Sequence, residues 1–236
     1  MAIPLISCIM PTYNRRRFVP AAIRCFLQQD YPARELIIVT DGESVSNLLP
    51  PGATNIHQVR LWGTERASIG AKFNLGIKAA QGDLLALWAD DDWHASQRLS
   101  VQVDALQASD ARMCGSDQVN FVDLRNGETW RYEYIPGRRT DFYLVGGTML
   151  FTRGFWRERP FENISSAEDN AFIFQRGEPF CNVGSDWWYR ASMHAGNTSP
   201  KPLAARQGSD QWRQMAGPAR SFVDPWWWQA VSQETI

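Results

Sequence analysis

Three aspartates in a row, Asp90, Asp91 and Asp92, follow the apolar run Leu84 to Trp88. Adjacent carboxylates at the end of a buried strand repel one another, and an apolar edge raises their pKa values unless a cation is supplied. Mg²⁺ or Mn²⁺ suits such a group, because hard divalent ions take oxygen ligands and are often shared between one or two carboxylates and substrate phosphates. A solvated acidic turn capping the next helix accounts for the same residues. Asp41, followed by Gly42 at the end of another apolar run, suits a sugar-ring diol or an ordinary turn. Glu168 and Asp169 open a helical stretch, where the helix dipole stabilises negative charge, so structural capping is the default there. His194 ends a short apolar run and is readable as a structural histidine or as a metal ligand. Thr12, Tyr13 and Asn14 form a polar turn after the first apolar run.

The elements that must position these groups alternate between two periodicities. Leu5 to Met10, Glu35 to Thr40, Ile56 to Trp62 and Leu84 to Trp88 read as strands. Between them, Phe18, Ala21, Ala22, Cys25 and Phe26 recur at helical spacing, as do Ile69, Phe73, Gly76, Ile77 and Ala80. Ser96 to Ala108 suits a third helix. Alternation of this kind predicts an α/β domain with a mainly parallel mixed central sheet flanked by helices. In such a sheet ligands bind beyond the carboxyl ends of the strands, where Thr12, Asp41 and Asp90 to Asp92 all fall. Farther on, strands are expected near Cys114 to Phe121, Thr129 to Tyr134, Gly146 to Phe151 and Trp188 to Met193, with a helix over 167–175.

The chain has 236 residues, 24 Lys and Arg against 25 Asp and Glu, and 44% hydrophobic residues. Near-neutral charge removes the bulk electrostatic argument for a nucleic-acid partner. No apolar stretch reaches the ~18 residues of a membrane span, and the opening residues read as a buried strand rather than a secretory signal. The expectation is one soluble domain over 1–236: a ligand-binding half at 1–110, a second half at 111–205, and a partly independent Trp-rich tail at 206–236. Cys8, Cys25, Cys114 and Cys181 are too far apart for a zinc or redox pair, so reduced thiols of a cytoplasmic protein are expected. Six of the eleven tryptophans follow residue 180. Such rings pack on the core, line a groove, or meet a partner or membrane surface.

In order and spacing these segments resemble the family 2 glycosyltransferases, inverting enzymes of the GT-A fold that use nucleotide sugars. The likeness runs through Ile6-Ser7-Cys8-Ile9-Met10-Pro11-Thr12-Tyr13-Asn14-Arg15, Ile37-Ile38-Val39-Thr40-Asp41-Gly42, Gly70-Ala71-Lys72-Phe73-Asn74, and Ala89-Asp90-Asp91-Asp92-Trp93 with Arg98-Leu99. Glu168-Asp169 and His194-Ala195-Gly196-Asn197-Thr198 resemble the family's base motif and its metal-contacting histidine.

The resemblance implies a GT-A-type, Rossmann-like domain that moves a sugar from a nucleotide-diphosphate-sugar, a UDP-sugar by family habit, to a hydroxyl acceptor. It implies a donor site made by Pro11, Thr12, Tyr13, Asn14, Asp41, Lys72 and Asp90, and Mn²⁺ or Mg²⁺ on Asp91 or Asp92 with His194. Many relatives carry Asp-x-Asp-Asp where this chain has three aspartates, with Trp88 at the first acidic position. Asp169 is the expected general base and Glu168 its fallback. Trp93, Trp187, Trp188 and Gly147 are the acceptor-side candidates. Saccharide, lipid-linked or protein-linked acceptors are all implied, as is action in the cytoplasm at the inner face of the membrane, with the Trp-rich tail a candidate membrane or partner contact. A non-catalytic nucleotide-sugar-binding module and a metal-dependent nucleotidyltransferase or phosphoesterase are the competing readings.

Overall fold

The computed structural model describes residues 3–63, 65–135, 143–174, 180–199 and 203–232. The first half consists of β1 (Ile6–Thr12), α1 (Val19–Leu27), β2 (Arg34–Thr40), β3 (Ile56–Arg60), α2 (Ile69–Ala79), β4 (Leu84–Leu87), β5 (Trp93–His94) and α3 (Arg98–Gln107). Then follow β6 (Met113–Gly115), β7 (Gln118–Asp123), β8 (Thr129–Glu133), β9 (Leu150–Thr152), α4 (Arg153–Glu158) and α5 (Glu168–Phe174). The remainder comprises β10 (Cys181–Asn182), β11 (Tyr189–Met193), α6 (Leu203–Arg206), β12 (Trp212–Met215) and α7 (Pro225–Ser232).

Seven strands form the central sheet in the order β10-β6-β9-β4-β1-β2-β3. Strands β3, β2, β1 and β4 are mutually parallel, and β9 runs antiparallel to both β4 and β6. This is the mainly parallel α/β sheet that the alternation of periods predicts. Its inner strands are buried on both faces, which is why they read as continuous apolar runs. β1 passes the expected stop at Pro11 and continues to Thr12. Its ladder to β4 ends at Ile9, so the missing N–H of Pro11 leaves no gap there.

Helix packing follows from small residues and caps. Ser68 caps α2 by accepting the N–H of Ala71 at 3.0 Å. Gly76 lets α2 settle onto the sheet, since a methyl built there would lie 2.6 Å from Ile9 and 2.9 Å from Val39. On α1, Pro20 sits in the first turn, where its lost N–H costs no helical bond.

A second sheet, β12-β8-β7-β11-β5, stands beside the first. Here the structure departs from the sequence reading. The single strand expected over Cys114 to Phe121 divides at Ser116 and Asp117, with β6 in one sheet and β7 in the other. Gly146 to Thr148 is a 3-10 turn ahead of β9. The tail is integral to the domain: β12 pairs with β8, and α7 packs on α1 with Trp227 1% exposed. Trp226 lies under the guanidinium of Arg24 at 4.1 Å. The C-terminal end expected for the helix over 167–175 falls outside the described residues.

Candidate active site

A cleft of about 600 Å³ opens at the carboxyl ends of β1 and β4 and is closed on its far side by the second sheet. The acidic triplet forms its floor. Asp90 accepts from Thr12 Oγ1 at 2.7 Å and from Arg15 Nη1 at 2.8 Å. Burial, then the neighbouring Asp91, push its carboxyl up to about 6. Asp91 is equally buried, but its Oδ2 lies 2.9 Å from His194 Nε2 and 2.9 Å from Arg15 Nη1. Burial works to raise its pKa, and these two partners outweigh it, so Asp91 stays below the usual carboxylate value.

Asp92 has a different part. Its Oδ1 accepts the N–H of Ser192 at 2.8 Å and its Oδ2 the hydroxyl of Tyr189. Burial and then Asp91 drive it up to about 8. Asp92 therefore ties the end of β4 to β11. Of the two metal-ligand candidates, Asp91 is the one that stands beside His194.

Among the described residues, no three His, Cys, Asp or Glu side chains converge as a metal cluster. Asp91 and His194 still supply one oxygen and one nitrogen on a common point, a set that fits an ion shared with substrate phosphates. His194 Nδ1 accepts the N–H of Gly196 at 3.1 Å, so Nε2 carries the proton here and donates to Asp91. To ligate an ion through Nε2, that proton must pass to Nδ1, which then gives up the N–H of Gly196.

The donor-side candidates divide. Pro11, Thr12, Tyr13 and Lys72 line the cleft. Lys72 Nζ donates to the Thr12 carbonyl at 3.2 Å and pairs with Asp41, whose Oδ2 also accepts the N–H of Ala67 at 2.6 Å. Asp41 thus lies behind Lys72 and holds it, and is absent from the cleft wall. Asn14 is also absent from that wall. It adopts a left-handed φ of 52°, which asparagine tolerates, and its Oδ1 accepts the N–H of Glu43 at 2.9 Å, bracing the loop after β1 against the loop after β2.

Across the cleft, Asp169 rests on Gly146. A methyl built on Gly146 would stand 2.5 Å from Asp169 Oδ2, and one on Gly147 would strike the Tyr189 hydroxyl and lie 3.3 Å from Asp92 Oδ2. Two adjacent glycines therefore separate the carboxylates of Asp169 and Asp92, which places these within about 13 Å of each other. Ala167, just before the pair, has φ of 60°, a left-handed conformation costly for a residue with a Cβ. Glu168 also lines the cleft, and burial followed by the charge of Asp169 raises it to about 7.

The tryptophan candidates are not brought to the cleft. Trp188 is fully buried and its indole N–H donates to the Gly184 carbonyl at 2.7 Å. Trp93 is 7% exposed and points to Asp224, with Nε1 3.2 Å from Oδ2. Trp187 is half exposed but outside the cleft lining. Packing and hydrogen bonding decide the places of the two buried rings, Trp93 being held by Asp224 and Trp188 by the Gly184 carbonyl.

Other rings take the wall instead. Trp212 lies 5.2 Å from Tyr132 and 5.0 Å from Phe121, and Tyr132 lies 6.1 Å from Tyr143. All four line the cleft. Sequence reasoning also passed over Arg66, whose guanidinium stands 4.5 Å from the Tyr13 ring, and the role of Arg15. Asn197, 3.4 Å from Asp91, lies within a segment that had been singled out only for its histidine.

The family model described as Glycosyl transferase family 2 matches residues 7–165. WcaA of Escherichia coli K12, which bears the name of a colanic acid biosynthesis glycosyl transferase, is 36% identical over 192 residues, 75% of this chain and 69% of its own length. An uncharacterized glycosyltransferase of Haemophilus influenzae is 32% identical over 135 residues, 54% of this chain and 52% of its own. The chain thus spans about half the length of that curated relative. Among solved structures, S. aureus TarS 1-349 in complex with UDP-GlcNAc superposes with a TM-score of 0.65 at 16% identity, covering 82% of this chain and 60% of that one. The mannosyltransferase PcManGT of Pyrobaculum calidifontis, in complex with GDP-Man and Mn²⁺, gives 0.60 at 15% identity over 84% and 59%. At these identities the likeness is one of fold, and that fold is the GT-A type.

Proposed function

Because the chain belongs to glycosyl transferase family 2, we propose that it moves a sugar from a nucleotide-diphosphate-sugar to a hydroxyl acceptor, with inversion at the anomeric carbon. The observation that carries this reading is that Asp169 and Asp91 line one cleft, with Gly146 and Gly147 between Asp169 and the end of the acidic triplet, and that Asp91 stands 2.9 Å from His194, which is not itself part of the cleft wall.

Tyr13, with Arg66 over its ring and Lys72 5.4 Å away, offers a flat, positively charged seat for the nucleotide end of the donor. Asp91 and His194 would hold a Mn²⁺ or Mg²⁺ ion. When bound, such an ion neutralises the charge that grows on the departing diphosphate. Asp169 accepts the proton of the acceptor hydroxyl as its oxygen attacks the anomeric carbon. The bond from that carbon to the diphosphate oxygen breaks with its electron pair, and the configuration inverts in one displacement. The glycines at 146 and 147 let the Asp169 carboxylate and the Tyr189 hydroxyl lie against the backbone beside the cleft. Trp212, Tyr132 and Tyr143 offer faces against which sugar C–H groups stack, which favours a saccharide acceptor.

A UDP-sugar is the proposed donor, supported by the TarS complex; the GDP-Man complex marks the alternative. The WcaA name supports a place in polysaccharide building. Four free cysteines, three of them buried, agree with a reducing compartment such as the cytoplasm. No helix among the described residues is long and apolar enough to cross a membrane. Contact with the membrane face is therefore proposed only as peripheral.

The test is a transfer assay with Mn²⁺ and a panel of nucleotide sugars, with product analysis by NMR. A free nucleoside diphosphate and an inverted glycosidic bond support the reading. A nucleoside monophosphate with a sugar 1-phosphate would mean attack on phosphorus, and nucleotide binding without turnover would mean a non-catalytic module.

A further inference from the structure

We propose that Arg15 is the built-in counter-cation of the acidic triplet and that it competes with the divalent ion for Oδ2 of Asp91. The inference rests on the metal-assisted reading above. Nη1 of Arg15 lies 2.8 Å from Asp90 Oδ1 and 2.9 Å from Asp91 Oδ2, and Nη2 donates to the Gly196 carbonyl. One side chain therefore joins the loop after β1, the triplet and the loop that carries His194. Its side chain is 17% exposed.

The oxygen at issue is the one beside His194 Nε2. Three N–H donors, from Arg15 and His194 at 2.9 Å each and from Asn197 at 3.4 Å, thus crowd the lone pairs that a metal ion would need. His194 can change from donor to ligand by moving its one ring proton from Nε2 to Nδ1, since either tautomer of the neutral imidazole keeps one free nitrogen. A guanidinium has no such form at any ordinary pH and repels the incoming cation. Arg15 must therefore leave Asp91 when the ion arrives. The cleft offers it another partner, because Arg15 lines the same wall as Lys72 and Arg66, where the donor diphosphate would lie. When the diphosphate product departs, Arg15 returns to the carboxylates and weakens their hold on the ion. Arg15 is thus a positioning residue that favours product release.

Mn²⁺ alone is the probe. Its dissociation constant is measured by calorimetry and by the paramagnetic resonance signal of the free ion, on the full chain and on Arg15→Gln and Arg15→Lys. Arg15→Gln is expected to bind Mn²⁺ at least tenfold more tightly, and Arg15→Lys, which keeps the charge, within threefold of the parent. With UDP present, product inhibition should strengthen in Arg15→Gln. Equal or weaker Mn²⁺ binding by folded Arg15→Gln overturns the proposal while leaving the metal reading intact. Absence of Mn²⁺ binding in every form, the parent included, overturns both. A measurement on the parent protein covers the case of a variant that fails to fold: phenylglyoxal labelling of Arg15, followed by peptide mass spectrometry, should accelerate when Mn²⁺ is added. An unchanged labelling rate with Mn²⁺ bound counts against displacement.

Discussion

Asp169 and Gly146 are in contact through a missing side chain: a methyl group at 146 would stand 2.5 Å from Oδ2 of Asp169 and 2.9 Å from its Cβ. Gly146→Ala must push the carboxylate away from its place. A displacement of about 1 Å can cost on the order of 10²-fold in rate, so transfer should fall by about that factor with donor affinity unchanged. A full-rate Gly146→Ala enzyme in a steady-state assay would remove Asp169 from the reaction.

Asp169→Asn keeps the shape and loses the base. Transfer should drop by about 10²–10⁴-fold, the usual worth of positioned proton transfer. Donor binding, followed by calorimetry, should change by less than about threefold. If donor affinity collapses instead, Asp169 belongs to the donor site.

Asp91 and Asp92 should fail in different ways. Asp91→Ala is expected to abolish the Mn²⁺ dependence of nucleoside diphosphate binding. Asp92→Ala leaves the buried Tyr189 hydroxyl and Ser192 N–H without their acceptor, at about 1–3 kcal/mol for each unsatisfied group. Its melting temperature should therefore fall by several degrees, at about 2–4 °C per kcal/mol. A stable Asp92→Ala protein that has lost its metal dependence would exchange the two roles.

Glu168 has a stability signature. Its pKa is raised from 4.5 to about 7 on folding, so between those values the folded state binds more protons than the unfolded state. Stability therefore declines as pH rises from about 4.5 to 7 and this contribution is flat above. The partly exposed site limits the effect to at most on the order of 3 kcal/mol. Glu168→Gln should flatten that part of the denaturation profile, and an unchanged slope would place the titration elsewhere.

Trp227 is 1% exposed in the helix that closes the chain's described part. Trp227→Ala should cost about 3–5 kcal/mol, as removal of a buried indole does. Deleting residues from 222 onward should leave an insoluble or molten protein. Retention of a cooperative melt in the truncated chain would make the tail dispensable.

Much of the first half was legible because its strands are buried on both faces and its helices are amphipathic, so local pattern and tertiary role agree. In the second sheet the strands β8 and β11 were legible where the sequence places them, but their pairing into a separate sheet was not. β5 has two residues, and β11 pairs with β5 and β7 across long stretches of chain, relations that no local pattern encodes. The site shows the same division. Thr12 at the end of β1 and Asp91 just beyond β4 lie on the cleft wall where their order along the chain places them, and Lys72, on the first turn of α2, joins them there. Asp41 and Asn14 lie outside the cleft lining, since spacing along the chain does not tell a lining carboxylate from one that anchors Lys72. Trp93 misled because adjacency to the triplet hides which face of β5 it occupies. The rings of Trp212, Tyr132 and Tyr143 come from three separate segments and meet only in the fold.

The loop after β1 carries one further consequence. Arg17 donates to the carbonyl of Val231, Arg24 lies over Trp226, and the Trp93 indole reaches Asp224, so residues near the start are held by residues near 230. A ribosome emits the opening βα unit long before it emits that brace. The nascent chain must then wait for this brace, so the first helix gains its last contacts only late in synthesis.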